Sequence, residues 1–168
     1  MDPVFSWIET TSLSTWLRES PSLWVFPFVL ILHTVGLAFL VGANVALDLR
    51  VLGLAKGVPL RALERYFLVM WAGFWVNAFS GVALLIAYPT KALTNPLFYI
   101  KLALIFGGIL LARKLHEHMR ELPMPDAGFL PPRLKTLATA SLVCWAASIA
   151  AGRFLAYTYS RLTVDLTG

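Results

Sequence analysis

One histidine, His33, lies within an apolar stretch that is long enough to cross a membrane. Residues 24–47 contain no Asp, Glu, Lys or Arg, and a helix of that length spans a hydrocarbon core of about 30 Å. An ionisable side chain at this depth is costly unless it faces protein, water or a ligand. His33 is therefore the first candidate for a metal ligand or a cofactor-binding residue.

Three further polar side chains are predicted at the level of His33. Each residue advances a helix by about 1.5 Å, so His33 lies about 13 Å below Trp24. The same count from the ends of later apolar runs places Ser80 at about 12 Å, Asn77 at about 16 Å and Ser148 at about 13 Å. We expect these four side chains to meet inside a helical bundle.

Two basic residues are predicted nearer the same membrane surface. Lys101 and Arg153 lie inside the predicted ends of two apolar runs, at a depth of about 6 Å. Together with the polar level beneath them, they suit an amphipathic ligand whose anionic or carbonyl groups point outward. Haem b, with its propionates on Lys101 and Arg153, fits this pattern, and the head group of a quinone is the alternative. Without a ligand, both cations would extend to the lipid head groups.

The role of His33 is open among several functions. It is a haem ligand, a copper ligand, a proton-transfer residue, or a neutral imidazole whose hydrogen bonds join helices. His116 lies about 28 Å along the third span from Leu97 and is too deep to ligate the same iron. A second haem ligand is then absent, is not histidine, or is His33 of a second subunit. Residues two apart on a helix point in different directions, which disfavours a metal pair at His116 and His118. Because charged residues surround them in the sequence, both are predicted on a solvated charged face.

Four membrane spans must position these residues. With 58% hydrophobic and 14% charged residues, the 168-residue chain is too apolar for an ordinary soluble domain. We predict an all-α integral membrane four-helix bundle with a short N-terminal interfacial helix, forming a single transmembrane domain over residues 1–168. The interfacial helix covers about residues 3–18, and the spans cover about residues 24–47, 66–88, 97–114 and 136–157. Proline and glycine predict a loop at 123–128.

The distribution of Lys and Arg predicts an orientation. The first and third loops between the spans carry nine of the 14 Lys and Arg residues, and the other side of the membrane carries the remaining five. The positive-inside rule then predicts that the first and third loops are cytoplasmic, that both termini lie outside and that the polar level is in the outer leaflet. Because the basic residues border apolar spans, the expected partner is the lipid bilayer and not a nucleic acid.

Motifs for several other kinds of chemistry are absent from the sequence. It contains no phosphate-binding loop, dinucleotide glycine fingerprint, nucleophile elbow or metalloprotease motif. The single cysteine, Cys144, excludes an internal disulfide and a thiolate cluster. These absences favour an electron-transfer or accessory membrane protein over an enzyme.

The segment 32–42, LHTVGLAFLVG, resembles the histidine-bearing first helix of small bacterial four-span membrane proteins. More loosely, it is similar to the histidine-and-glycine helices of copper-resistance D-type and cytochrome b561-like membrane families. The resemblance to cytochrome b561-like proteins implies haem b. In those bundles, pairs of histidines at matched depth on neighbouring helices hold the haem, whereas this chain has only His33 at mid-membrane depth. The resemblance to copper-resistance D-type proteins implies a copper site. This sequence lacks the cluster of methionines or histidines that Cu(I) favours.

Together these observations predict a haem- or quinone-binding electron-transfer protein, working as a homo-oligomer or as a subunit of a membrane complex. One alternative is a non-catalytic accessory subunit, in which the polar level joins helices. The other is a copper or small-solute permease, for which Asn44 and Asp48 are the polar residues below His33.

Overall fold

The computed structural model of the protein describes residues 3–20, 22, 24–54, 57–59, 64–121 and 130–164. The predicted loop at 123–128 lies outside these residues. The described residues form helices and turns, with no strand among them. The prediction of an all-α four-helix bundle with a short helical N-terminal segment is confirmed.

The described part of the chain contains two short N-terminal helices, four long helices and one short helix between the second and third long ones. They are α1 (Pro3–Glu9), α2 (Ser12–Glu19), α3 (Val25–Leu52), α4 (Glu64–Ala87), α5 (Pro89–Leu93), α6 (Pro96–Arg120) and α7 (Pro132–Val164). The four predicted spans fall on α3, α4, α6 and α7. Helix α3 ends at Gly53, whose positive φ of 95° suits a residue without a Cβ. Helix α6 begins after Asn95, whose side chain accepts a hydrogen bond from the Leu97 N–H at 3.0 Å.

The N-terminal segment, for which the sequence predicts a short helix or two over about residues 3–18, forms two helices. Thr11 separates them, because its hydroxyl donates to the Ile8 carbonyl at 2.7 Å and accepts from the Ser14 N–H at 3.4 Å. The first of these bonds closes α1 and the second caps α2. Ser14 and Leu17 of α2 are buried, and this helix packs against α4.

The four long helices form two antiparallel pairs joined along one seam. Helix α3 packs on α4, α6 packs on α7, and α3 also packs on α7. The buried apolar residues form two clusters, one in the middle of the bundle and one near the ends of α3 and α6. The first includes Leu40, Met70, Ala112 and Trp145, and the second includes Leu47, Val51, Leu115 and Leu134.

Helices α4 and α6 meet at one end of the bundle and separate toward the other. In the described ranges their backbones hardly approach one another, although the rings of Phe67 and His116 contact with centroids 3.8 Å apart. This contact leaves His116 half-buried, where the sequence predicts a solvated charged face. Toward the opposite end the two helices enclose a cleft, and α5 lies beside it.

The outer surface of the bundle is apolar. Only 11–33% of the residues in the most apolar window of each long helix are buried inside the bundle. Large apolar side chains therefore face outward, among them Leu68, Phe79 and Phe106 with exposed fractions of 77%, 69% and 64%. Each long helix is also long and apolar enough to cross a bilayer. The chain is a multi-pass membrane protein.

Candidate functional site

Helices α3 and α4 pack closely, which brings the His33 side chain to Asn77 and Ser80 of α4. A Cβ atom on Gly36 would lie 2.6 Å from the backbone nitrogen of Asn77, and one on Gly73 would lie 2.6 Å from that of Leu40. Both distances are far below ordinary van der Waals contact, so only glycine lets the two backbones pack this closely. His33 lies one helical turn before Gly36 on α3, so its side chain reaches the backbone of α4.

The His33 ring is held by α4 through its Nδ1 atom. Nδ1 lies 3.1 Å from the Asn77 carbonyl oxygen and 3.2 Å from Ser80 Oγ. The Ser80 hydroxyl donates to the Val76 carbonyl at 2.6 Å, so it accepts from His33. The Asn77 amide Nδ2 also lies 3.3 Å from Nδ1, but this group donates to the His33 carbonyl at a shorter distance. Because the Asn77 carbonyl oxygen can only accept, its contact with Nδ1 favours the Nδ1–H tautomer. The Asn77 amide also stabilises this pairing, because its Nδ2 donates to the His33 carbonyl at 2.7 Å.

This tautomer leaves the other ring nitrogen of His33 with a lone pair. In the described part of the chain, no hydrogen bond reaches Nε2. An imidazole whose Nδ1–H donates to a backbone carbonyl is oriented to bind a metal, or to accept a proton or hydrogen bond, through Nε2. A Cβ on Gly81 would lie 3.2 Å from His33 Cε1, so glycine at this position gives the ring its space.

The His33 side chain lines a cleft of about 580 Å³. Residues of all five helices from α3 to α7 surround this cleft, and most of them are apolar. The apolar wall includes Phe26, Phe74, Val82, Leu84, Leu85, Phe98, Leu102, Ile105 and Leu155. The polar groups on the cleft are few, namely His33, Asn77, Tyr88, Lys91 and Lys101. A mostly apolar cleft of this size with a few polar groups is typical of a site for a small organic ligand or cofactor.

Lys101 supplies a cation to the cleft. It is half-buried on α6, and its stem crosses Gly152 of α7. A Cβ at position 152 would lie 3.6–3.7 Å from Cδ, Cε and Nζ of this lysine. The glycine thus gives room for the lysine stem, which lies along the wall between α6 and α7 while the ammonium group remains at the cleft.

The structure brings together four of the six residues that the sequence proposes for the site. His33, Asn77 and Ser80 are in direct contact, and Lys101 lies on the same cleft. Arg153 is exposed and is not part of the cleft wall.

Ser148 is buried elsewhere. Its neighbour on α7, Ser141, lies beside Asp48 of α3, which sets the register of the antiparallel pair. Ser148 is then level with about residue 41 of α3, about 12 Å along the helix axis from His33.

Tyr88 and Lys91 also line the cleft. The sequence places Tyr88 near the membrane surface beside Lys101 and Arg153, whereas it does not point to Lys91. Tyr88 is the N-cap of α5, a five-residue helix that contains Lys91. Pro89 at the first position of that helix is the local signal for it. The Glu9 carboxylate accepts a hydrogen bond from the Thr90 N–H at 3.3 Å, so α1 helps to position α5 beside the cleft.

The histidines away from the cleft do not form a metal site. His116 contacts Phe67, and the Nδ1 atom of His118 donates to the Lys114 carbonyl at 2.8 Å. Across the described residues, no group of three or more His, Cys, Asp or Glu side chains is arranged to hold a metal ion. Comparison of the chain with protein-family models, with curated proteins and with solved structures gives no match.

Proposed function

We propose that the cleft binds an amphipathic redox cofactor, haem b or a quinone, and that the protein transfers electrons within the membrane. The observation that carries this proposal is the free Nε2 lone pair of His33 on a cleft of about 580 Å³. A histidine that served only to join helices would need no such cleft beside it.

Haem b would be held in the cleft by one ligating side chain, that of His33. The Nδ1–H of His33 donates to a backbone carbonyl, which is the usual arrangement for a metal-binding imidazole, and leaves Nε2 for the iron. Lys91 and Lys101 provide positive charge for the propionates. Haem would supply reversible one-electron chemistry, while the protein supplies the ligand, the apolar wall and the cations. If a second axial histidine is needed, it comes from His33 of a second copy, which makes the working form a homo-oligomer.

A quinone fits the same groups through hydrogen bonds. In its Nδ1–H tautomer, His33 accepts at Nε2, so it matches the hydroxyl of the reduced form, the quinol. The Lys101 ammonium group donates, and therefore matches an oxygen at the other side of the ring. The apolar wall of the cleft suits the isoprenoid tail.

The charge distribution supports a location for the cleft. Nine of the 14 Lys and Arg residues lie on the side of the first and third loops. We therefore place the protein in the bacterial inner membrane with both termini outside, and the cleft in the outer leaflet.

One other function has structural support, that of a non-catalytic accessory subunit. His33, Asn77 and Ser80 join α3 to α4 through their hydrogen bonds, and such bonds stabilise helix pairs in membranes.

The test is an absorption spectrum of the detergent-purified protein, oxidised and then reduced with dithionite, combined with solvent extraction and chromatography of bound quinone. We expect a Soret band or a stoichiometric quinone. His33→Ala should abolish it, and Lys101→Met should lower cofactor retention. The matched controls are His118→Ala and Arg153→Ala, which alter residues outside the cleft wall and should leave the cofactor content unchanged.

Protein produced with ample haem and purified without either cofactor would refute the proposal. Stoichiometric co-purification with another membrane protein would then support the accessory function. Loss of cofactor in His118→Ala as well as in His33→Ala would also contradict the assignment, because the effect would not depend on the cleft.

A further inference from the structure

A second polar site lies in the seam between α3 and α7, away from the cleft. Asp48 of α3 is 1% exposed, and Ser141 of α7 is fully buried with an exposed fraction of 0%. The Ser141 side chain lies beside the Asp48 carboxyl group. Asp48 is about 22 Å along α3 from His33, so the two residues belong to different parts of the bundle.

Both members of this pair have hydrogen-bonding capacity that the surrounding protein leaves unused. Among the described residues, neither Asp48 Oδ2 nor Ser141 Oγ has a hydrogen-bond partner. Buried polar atoms are almost always paired, and an exception calls for a bound water, an ion or a proton. Both side chains are more than nine-tenths buried, so bulk water does not satisfy these atoms.

A proton suits this site better than a metal ion. Protein sites for hard cations such as Ca²⁺ and Mg²⁺ are built from about six or more oxygens, whereas two side-chain oxygens converge here. A carboxylate removed from water is costly without a neutralising charge, and a single proton removes that cost. In the protonated form the carboxylic acid can also donate a hydrogen bond to the Ser141 hydroxyl, which pairs both unused atoms.

Among the described residues, the other charged and titratable side chains around this part of the bundle are exposed or contact residues other than Asp48. Arg50, two residues further along α3, donates from Nε to the Val58 carbonyl. On α4, Arg65 and Tyr66 are level with Asp48 and both side chains are exposed, and on α6 the His116 ring contacts Phe67. At the start of α7, two basic side chains are exposed, those of Arg133 and Lys135.

We propose that Asp48 and Ser141 form a proton-binding site in the α3–α7 seam, where the Asp48 carboxyl group binds a proton and exchanges it with water. The site is independent of any cofactor in the cleft.

The test is infrared spectroscopy of the full chain reconstituted in lipid vesicles at neutral pH. We expect a carbonyl stretching band of a protonated carboxylic acid that disappears in Asp48→Asn and shifts when the vesicles are transferred to D₂O. The measurement is repeated in His33→Ala, where the band should persist whether or not the cleft binds a cofactor.

A second variant examines the partner of the carboxyl group and does not depend on how well Asp48→Asn folds. Ser141→Ala should shift the frequency of the band, because it removes the hydrogen-bond acceptor of the acid. The matched control is Ser148→Ala, which alters a serine that is also buried on α7 with an unpaired hydroxyl and should leave the frequency unchanged. Absence of the band, its survival in Asp48→Asn, its insensitivity to D₂O or an unchanged frequency in Ser141→Ala would each overturn the proposal.

Discussion

Replacement of Gly36 by alanine tests the close helix contact that positions His33. The added Cβ would lie 2.6 Å from the Asn77 backbone nitrogen, 3.0 Å from its Cα and 3.0 Å from the Gly73 carbonyl oxygen. All three atoms belong to the backbone, so no side-chain rotation relieves the overlap. Since ordinary van der Waals contact begins near 3.4 Å, α3 and α4 must move apart by about 0.8 Å or more.

That movement would also break the hydrogen bond of His33. Its Nδ1 atom lies 3.1 Å from the Asn77 carbonyl oxygen, and an added 0.8 Å gives about 3.9 Å, which is too long for a hydrogen bond. Overpacking costs about 1–3 kcal/mol, and each lost interhelical bond in a membrane costs about 0.6 kcal/mol. Alanine gains about 1 kcal/mol in helix propensity over glycine. We therefore expect Gly36→Ala to lower the free energy of unfolding by about 1–3 kcal/mol.

Gly42→Ala is the matched control in the same helix. A Cβ at this position would meet no atom within 4 Å, so the propensity gain is unopposed and stability should be unchanged or higher. Reversible unfolding in mixed micelles with increasing dodecyl sulfate measures both variants. Equal effects of the two substitutions, or a stable Gly36→Ala protein, would refute the proposed role of the glycine contact.

Two further predictions concern neighbouring contacts. Gly108→Ala should destabilise the α6–α7 pair by about 1–3 kcal/mol in the same unfolding assay, because its Cβ would lie 2.9 Å from the Trp145 ring. Gly107→Ala, whose Cβ would meet its nearest atom at 3.4 Å, should cost less, and the reverse order would contradict the packing of α7 on α6. Asn77→Ala should lower stability by about 0.6–1.7 kcal/mol through loss of its bond to the His33 carbonyl. An Asn77→Ala protein as stable as the parent protein would show that this bond is not formed.

The contacts of His33 on α4 follow from simple helix geometry, whereas the position of Ser148 does not. Depth counts from Tyr88 place Asn77 and Ser80 near His33 because α4 ends at Ala87, close to the end of its apolar run. The same count from Tyr157 assumes that α7 also ends near the membrane surface. Helix α7 continues to Val164, and its register is set by side-chain contacts such as that of Ser141 with Asp48.

The sequence alone determined that the chain is an all-α bundle of four apolar helices and that one histidine lies deep within the first of them. Hydrophobic runs of this length are stable in a bilayer only as helices, because every backbone hydrogen bond must be made within the segment. The tertiary structure decided which faces of those helices meet. Several helices carry small residues at similar spacing, and only the contact of Gly36 with Gly73 and Asn77 selects the rotation that places His33 on α4. The separation of α4 from α6 depends on all the helix contacts together, so the cleft beside His33 follows from no single segment of the sequence.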